Sequence, residues 1–281
     1  MRERAEAVAR LVGEKMERET KVVINAKNNV TRLGIAIETD QEGVCVTVYT
    51  DDLSDLSEED AAEKIKEMIE QTKHPDIDVA KITAKEYVFS NIIPCPIKRA
   101  GNEKLLQESA HVDFLDLAFV FRVMLPENER SYLLKTEAVK IYGCNVLEIF
   151  DIAKENMMKK QKTKIIPMEN VIASMLGEEM ENEDEIPKTE CEMAVMTNQD
   201  KMYGANGFLR KDLLKKYSER IGKDLYILPS SVHELLVVPK FAVNAEGLRR
   251  MVQEVNENEV ADEEILSYNV CLLYTSDAAD D

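Results

Sequence analysis

The chain has 281 residues, with 54 acids against 36 lysines and arginines and a formal net charge of −18. Its length suits one large or two small domains with a real core. Three classes are set aside: nucleic-acid binding, because an acidic chain without a basic patch repels phosphate; membrane insertion, because no apolar run nears the roughly 18–20 residues of a span; and secretion, because Met1-Arg2-Glu3-Arg4 opens a charged amphipathic segment.

Residues 3–18 read as a helix, with Val8, Leu11, Val12 and Met16 at helical spacing. Lys21–Ile24 is a β-type run, and Asn28-Asn29 marks a turn. Residues 33–39 and 44–50 are rich in Ile, Val and Thr and are joined through Gly43, which signals a hairpin. Ser57 opens a helix with Asp60 three places on and a stripe of Ala61, Ile65, Met68 and Ile69, and His74-Pro75 stops it. Between 77 and 110 the pattern is ambiguous: residues 78–82 are expected as a strand, 84–92 as a helix, and Pro94-Cys95-Pro96 as irregular backbone.

Residues 115–125 form the clearest strand, mostly apolar on both faces, Asp116 and Arg122 excepted, and so central in a covered sheet, with 132–135 pairing back antiparallel. Thr136 opens a short helix ending at Gly143. Asn145 with Glu148 caps a helix over 146–160, and 168–176 is another, closed by Gly177. Residues 178–190 carry seven acids and read as a mobile linker, the expected first cut in limited proteolysis. Strand 193–197, helix 207–221 with its stop at Gly222, and a tight hairpin of 225–228 and 232–238 around Pro229-Ser230-Ser231 follow. Asn244 caps a last helix through Val255.

The tail from Cys271 to Asp281 resembles the translated adapter of a sequencing library. It is read as a non-native scar and is expected to add nothing to the core. Cys45, Cys95, Cys144 and Cys191 then remain, widely spaced and without a CxxC pair, and are expected as reduced thiols of a cytoplasmic protein.

Several stretches carry a family resemblance. They are His111-Val112-Asp113-Phe114-Leu115-Asp116-Leu117-Ala118, Ala153-Lys154-Glu155-Asn156, Leu228-Pro229-Ser230-Ser231-Val232-His233-Glu234 and Val255-Asn256-Glu257-Asn258-Glu259-Val260. In order and spacing the chain resembles the bacterial domain of unknown function family 5688, best over residues 100–270. Lys27-Asn28-Asn29 and its hairpin agree more loosely, with Val46-Thr47-Val48-Tyr49 where the family has a Pro-Thr-Ile-Tyr type strand. The resemblance implies an intracellular bacterial protein and names no activity.

Two patterns nominate site residues. His111 and Asp113, two apart in extended chain, share a face and supply two ligands of a facial metal triad, with His233 as the third; the competing reading is a histidine bonded to backbone at a strand entry. Ser231, His233 and Glu234 supply nucleophile, base and acid types. In a strand, however, Ser231 and His233 stand about 6.6 Å apart along the axis and Glu234 points away, so turn chemistry and a structural His233 are favoured. Tyr203-Gly204-Ala205-Asn206-Gly207 lacks the Lys and Ser or Thr of a phosphate loop, the consecutive acids 58–60 diverge, and the basic group near Arg210 is broken by Asp212 and Glu219.

These readings converge on an α+β protein of two lobes, with mixed, mainly antiparallel sheets and flanking helices. The lobes are residues 1–177 and 191–270, joined by the acidic linker 178–190 and followed by the scar 271–281. The first lobe's order, α-β-β-β-α-β-β-α, resembles secretion-chaperone-like binding folds by analogy. The leading function is a non-enzymatic cytoplasmic binding or regulatory module with a protein partner and no cofactor. The alternative is a metal-assisted or hydrolytic enzyme using His111, Asp113 and His233.

Overall fold

The computed structural model describes residues 1–72, 77–126, 130–177, 185–187, 192–240 and 245–273. It is an α+β structure that divides into two compact units, Met1–Val88 and Phe89 onward. The expected stop at His74, the cap at Asn244 and Cys191 lie outside the described residues.

The first unit runs α1 (Arg2–Met16), β1 (Thr20–Ala26), β2 (Thr31–Glu38), β3 (Cys45–Tyr49), α2 (Glu58–Gln71) and α3 (Val79–Thr83). Its strands form one antiparallel sheet in sequence order. Alternation along the strands places Val22, Ile35, Ile37 and Val48 on one face. There they pack with Val8 and Val12 of α1 and Ala61 and Ile65 of α2. Ser57 caps α2, accepting the Asp60 N–H at 3.1 Å. The expected strand over 78–82 is instead α3. Asp78 accepts the Lys81 N–H at 2.9 Å, which answers an amide a helix start leaves unpaired and outweighs the β-branched residues there.

The chain passes into the second unit within α4 (Lys85–Asn91). Next come β4 (Ile92–Lys98), α5 (Glu103–Glu108), β5 (His111–Phe114), β6 (Leu117–Met124) and β7 (Ser131–Leu133). β6 is central: β4 pairs along one edge, and β5 and β7 share the other. The prolines expected to break the backbone sit within β4, opposite Phe121 and Phe119. An edge strand tolerates them because their missing N–H groups face away from the ladder. Then follow α6 (Thr136–Ile141) and α7 (Val146–Lys160). Asn145 and Glu148 form a reciprocal capping box on α7. α7 buries Ile149, Ala153 and Met157, and its Phe150 ring lies 5.8 Å from Phe119 and 6.3 Å from Phe121 of β6.

The second sheet has the order β12-β10-β11-β9-β8. Its elements are β8 (Lys164–Pro167), α8 (Met168–Met175), β9 (Ala194–Thr197), α9 (Lys211–Ile221), β10 (Leu225–Leu228), β11 (Leu235–Pro239), α10 (Ala245–Asn258) and β12 (Cys271–Leu273). One face packs on Leu213, Leu214 and Tyr217 of α9, the other on Leu248 and Val252 of α10.

Four expectations are corrected here. The boundary between units falls at Val88, and β8 pairs with β9, so one sheet bridges the stretch taken as a linker between lobes. Residues 178–184 and 188–190 of that stretch lie outside the described residues, but Ile186 is buried and Ile165 donates its N–H to Glu185 O at 2.8 Å. Of that stretch, residues 185–187 are thus tied to β8 and the core beside it. The tail was expected to stay out of the core, yet Cys271–Leu273 pairs with β10, and Cys271 and Leu273 pack on the core. An open strand edge accepts any apolar backbone of suitable length. Finally, helix 207–221 is split into a 3₁₀ turn, Gly204–Leu209, and α9.

Candidate functional site

His111 and Asp113 lie on one face of β5 as their spacing requires, 3.9 Å apart. Each has another partner. His111 Nδ1 donates to Ser109 O at 2.9 Å, and Arg99 meets the exposed Asp113 at 3.2 Å. His233, expected on the strand 232–238, lies instead in the Pro229–Glu234 connection before β11. That connection is no tight turn. Its backbone zips onto residues 264–267: Val232 donates to Glu264 O, Leu266 to Ser230 O and Ser267 to Pro229 O.

His233 Nδ1 accepts the backbone N–H of Tyr203 at 3.3 Å, which leaves the proton of the neutral ring on Nε2, facing Glu264 at 3.5 Å. Ser231 Oγ accepts the backbone N–H of His233 at 3.1 Å, so serine and imidazole meet through the main chain. Glu234 is half-buried, and burial pushes its carboxyl above the ordinary range, opposed by His233 and Lys201. Among the described residues no three His, Cys, Asp or Glu side chains are grouped so as to hold a metal ion. His111, Asp113 and His233 therefore do not form such a group.

The structure gathers a different set around Tyr203. The Tyr203 and His233 rings stack, with centroids 5.7 Å apart and planes 24° apart. The Arg122 guanidinium lies 4.9 Å from the Tyr203 centroid. Arg122 also donates to Ser131 Oγ at 3.0 Å, and Ser131 Oγ lies 3.2 Å from Tyr203 Oη. Tyr203 is held in the left-handed region, at φ 53°. Next to it, Gly204 leaves no room for a side chain: a Cβ would stand 2.5 Å from His233 O and from Thr197 Oγ1. Two residues on, the fully buried Asn206 donates to Pro94 O at 3.1 Å and to Gln161 Oε1 at 2.8 Å, joining the 3₁₀ turn to β4 and the end of α7. Ser131 did not stand out in the sequence, and Arg122 did so only as an exception to the apolar pattern of 115–125, without a role. Only the odd arginine in an otherwise apolar central strand could have pointed there.

In the first unit, α1 and α2 occupy one face of the sheet. By alternation the other carries Lys21, Val23 and Asn25 of β1, Arg32, Gly34, Ala36 and, at the strand end, Glu38 of β2, and Cys45, Thr47 and Tyr49 of β3. Lys27 Nζ lies 4.7 Å and Arg32 Cζ 5.4 Å from the Tyr49 ring centre. Asn25 donates to Tyr49 Oη at 3.4 Å. Thr47 and Tyr49 fold over Gly34, whose added Cβ would meet Thr47 Cγ2 at 2.6 Å.

Among the described residues no helix is long and apolar enough to cross a membrane. No curated protein and no solved structure matches the chain. A family model matches residues 1–275, the first unit included as well as the stretch that carries the clearest motifs. The chain belongs to that family, the family of unknown function 5688.

Proposed function

We propose that the protein is a non-enzymatic binding module, and that the first unit holds an acidic, extended stretch of a protein partner against the sheet face opposite α1 and α2. The observation that supports this is the placing of Lys27 and Arg32 over the Tyr49 ring on that face, with Lys21 further along β1. In a chain of net charge −18 the general field repels an acidic partner, so a local cationic face selects where it can land. Gly34 keeps the centre of the face flat, and Tyr49 offers amphipathic area with its hydroxyl already oriented. The catalytic candidates of the second unit support the same reading, since both ring nitrogens of His233 are engaged away from Ser231.

The test is fluorescence anisotropy of the full chain with a labelled peptide of alternating Glu and Val, against its Lys counterpart. Saturable binding of the acidic peptide is expected, weakened by salt and reduced at least tenfold in the Lys21→Glu/Arg32→Glu double variant. Absence of binding, equal binding of the basic peptide, or full retention by the double variant would overturn the reading.

A further inference from the structure

The second unit carries a separate signal, independent of the sheet face just described. Along the central strand β6, alternation sends Phe119 and Phe121 toward α7, and Ala118, Val120, Arg122 and Met124 toward the opposite side. That side is otherwise apolar, with Ile93, Cys95 and Ile97 of β4 beside Val120. Burial there pushes the Cys95 thiol up to about 12. Arg122 is partly buried there, and a charge taken out of water is costly to the extent that no counter-charge answers it. Among the described residues no carboxylate pairs with Arg122. The chain does not lack candidates, with 54 acids against 36 bases.

The guanidinium is nonetheless held in place. Its face lies on the Tyr203 ring, which is backed in turn by His233, and Nη1 donates to Ser131 Oγ. The Tyr203 backbone is pinned by its N–H to His233 Nδ1 and by the space-filling contact at Gly204. A left-handed tyrosine is strained, and strain of this kind persists where the surroundings over-determine it.

Counting donors shows what is left over. Among the described residues Nη1 is the Arg122 nitrogen that carries a hydrogen bond, which leaves Nε and Nη2, the adjacent pair that grips a carboxylate side-on. Between Ser131 and Tyr203 one hydroxyl hydrogen is used in their mutual bond, and the other remains whichever way the bond runs. The unspent set is therefore two guanidinium N–H groups, one O–H and one positive charge. That matches a carboxylate; a phosphate, at about −1.5 to −2, would exceed it. Ile93 faces Arg122 across the ladder and Met124 lies two residues on; with Met202 they form the apolar part of a neighbouring cavity of about 50 Å³, whose lining also includes Asn91, Lys160, Gln161 and Asp200. Ile93 and Met124 thus put apolar surface beside the charge.

We propose that Arg122, Ser131 and Tyr203 form a binding site for a small carboxylic acid with a short apolar tail. Propionate is a suitable probe. A ligand of so few atoms binds in the millimolar range at best. The full chain, labelled with ¹⁵N, would be titrated with propionate, with propionamide, and with inorganic phosphate, following the Arg122 Nε–Hε resonance. Propionate is expected to shift it saturably, propionamide to leave it in place, and phosphate to bind more weakly. Arg122→Gln should lose at least tenfold in affinity, read on the amides of Ser131 and Tyr203. Tyr203→Phe, which keeps the stacking, should lose severalfold. If Arg122→Gln does not fold, the amide control and Tyr203→Phe decide the matter on folded protein. Equal shifts with propionamide, tighter binding of phosphate, or undiminished propionate binding by the variants would overturn the proposal. None of these outcomes bears on the acidic peptide and the first unit.

Discussion

The two units solve the same problem, covering a sheet, with different reach along the chain. In the first, β1, β2 and β3 pair in sequence order, and α1 and α2 cover the face they make. In the second, β10 lies between β11 and β12, β9 pairs with β8 across the acid-rich stretch, and β6 gathers β4, β5 and β7. Local pairing leaves few ways to assemble, so the first unit is tied together by apolar periodicity. Non-local pairing needs particular residues at the crossings. Those residues are Gly204, Asn206, Tyr203 and the backbone of Pro229–Val232, each serving two elements. The difference predicts where single changes hurt.

The sharpest contrast is between two glycines, neither with positive φ. At Gly204 a methyl group would strike the His233 carbonyl at 2.5 Å and the Asn198 nitrogen at 2.9 Å, both main-chain atoms. At Gly34 it would strike Thr47 Cγ2, a side-chain atom that can turn away. Gly204→Ala is therefore expected to cost about 3 kcal/mol or more, Gly34→Ala about 1 kcal/mol, by equilibrium urea unfolding. Equal costs would break the contrast between local and non-local assembly.

Asn206 comes next. It is fully buried, and truncation leaves Pro94 O and the Gln161 side chain without their partner. Asn206→Ala should cost about 2 kcal/mol by the same measurement. A cost below about 0.5 kcal/mol would mean that water satisfies both groups and that the wedge between β4 and α7 is dispensable.

What the sequence made legible follows the same division. The hairpin of β2 and β3, the Ser57 cap, the Asn145 and Glu148 box, and the extent of α7 were all readable, because each depends on residues within a few positions. Strand β8, the long connection before β11 and the edge position of Pro94 and Pro96 were not. Their conformations are set by partners far along the chain. The site behaved alike. The spacing of His111 and Asp113 correctly put both on one face, but only the fold supplies Glu264 beside His233 and Arg122 beside Tyr203.

The two helix caps allow a comparison between units without any long-range partner. Asn145 Oδ1 accepts from Leu147 N–H at 2.9 Å and Glu148 N–H at 3.0 Å, and Glu148 answers the Asn145 N–H at 2.8 Å. Ser57 accepts one amide, from Asp60. Asn145→Ala should cost about 1–2 kcal/mol and Ser57→Ala about 0.5–1 kcal/mol. Thermal unfolding followed by circular dichroism would rank them; the reverse order would show that cap bonds do not govern the ends of these helices.

The smallest expected effect changes sign with respect to the others and depends on pH. Burial raises the Glu234 carboxyl, with His233 and Lys201 opposing it, so the folded protein binds this proton more readily than the unfolded chain does. The ionised group then weighs against folding at every pH above its folded value. That penalty lifts as the pH falls toward the unfolded carboxyl value of about 4.3. Glu234→Gln removes the charge and keeps the shape, so it should raise the unfolding midpoint at pH 7 and leave it nearly unchanged at about pH 4. Glu234 keeps part of its surface in water, which screens the effect and makes the gain small. A gain of the same size at both pH values would assign it to packing. A loss at pH 7 would show that attraction from His233 and Lys201 exceeds the cost of burying the charge, and that this corner of the second unit is held together by ion pairing.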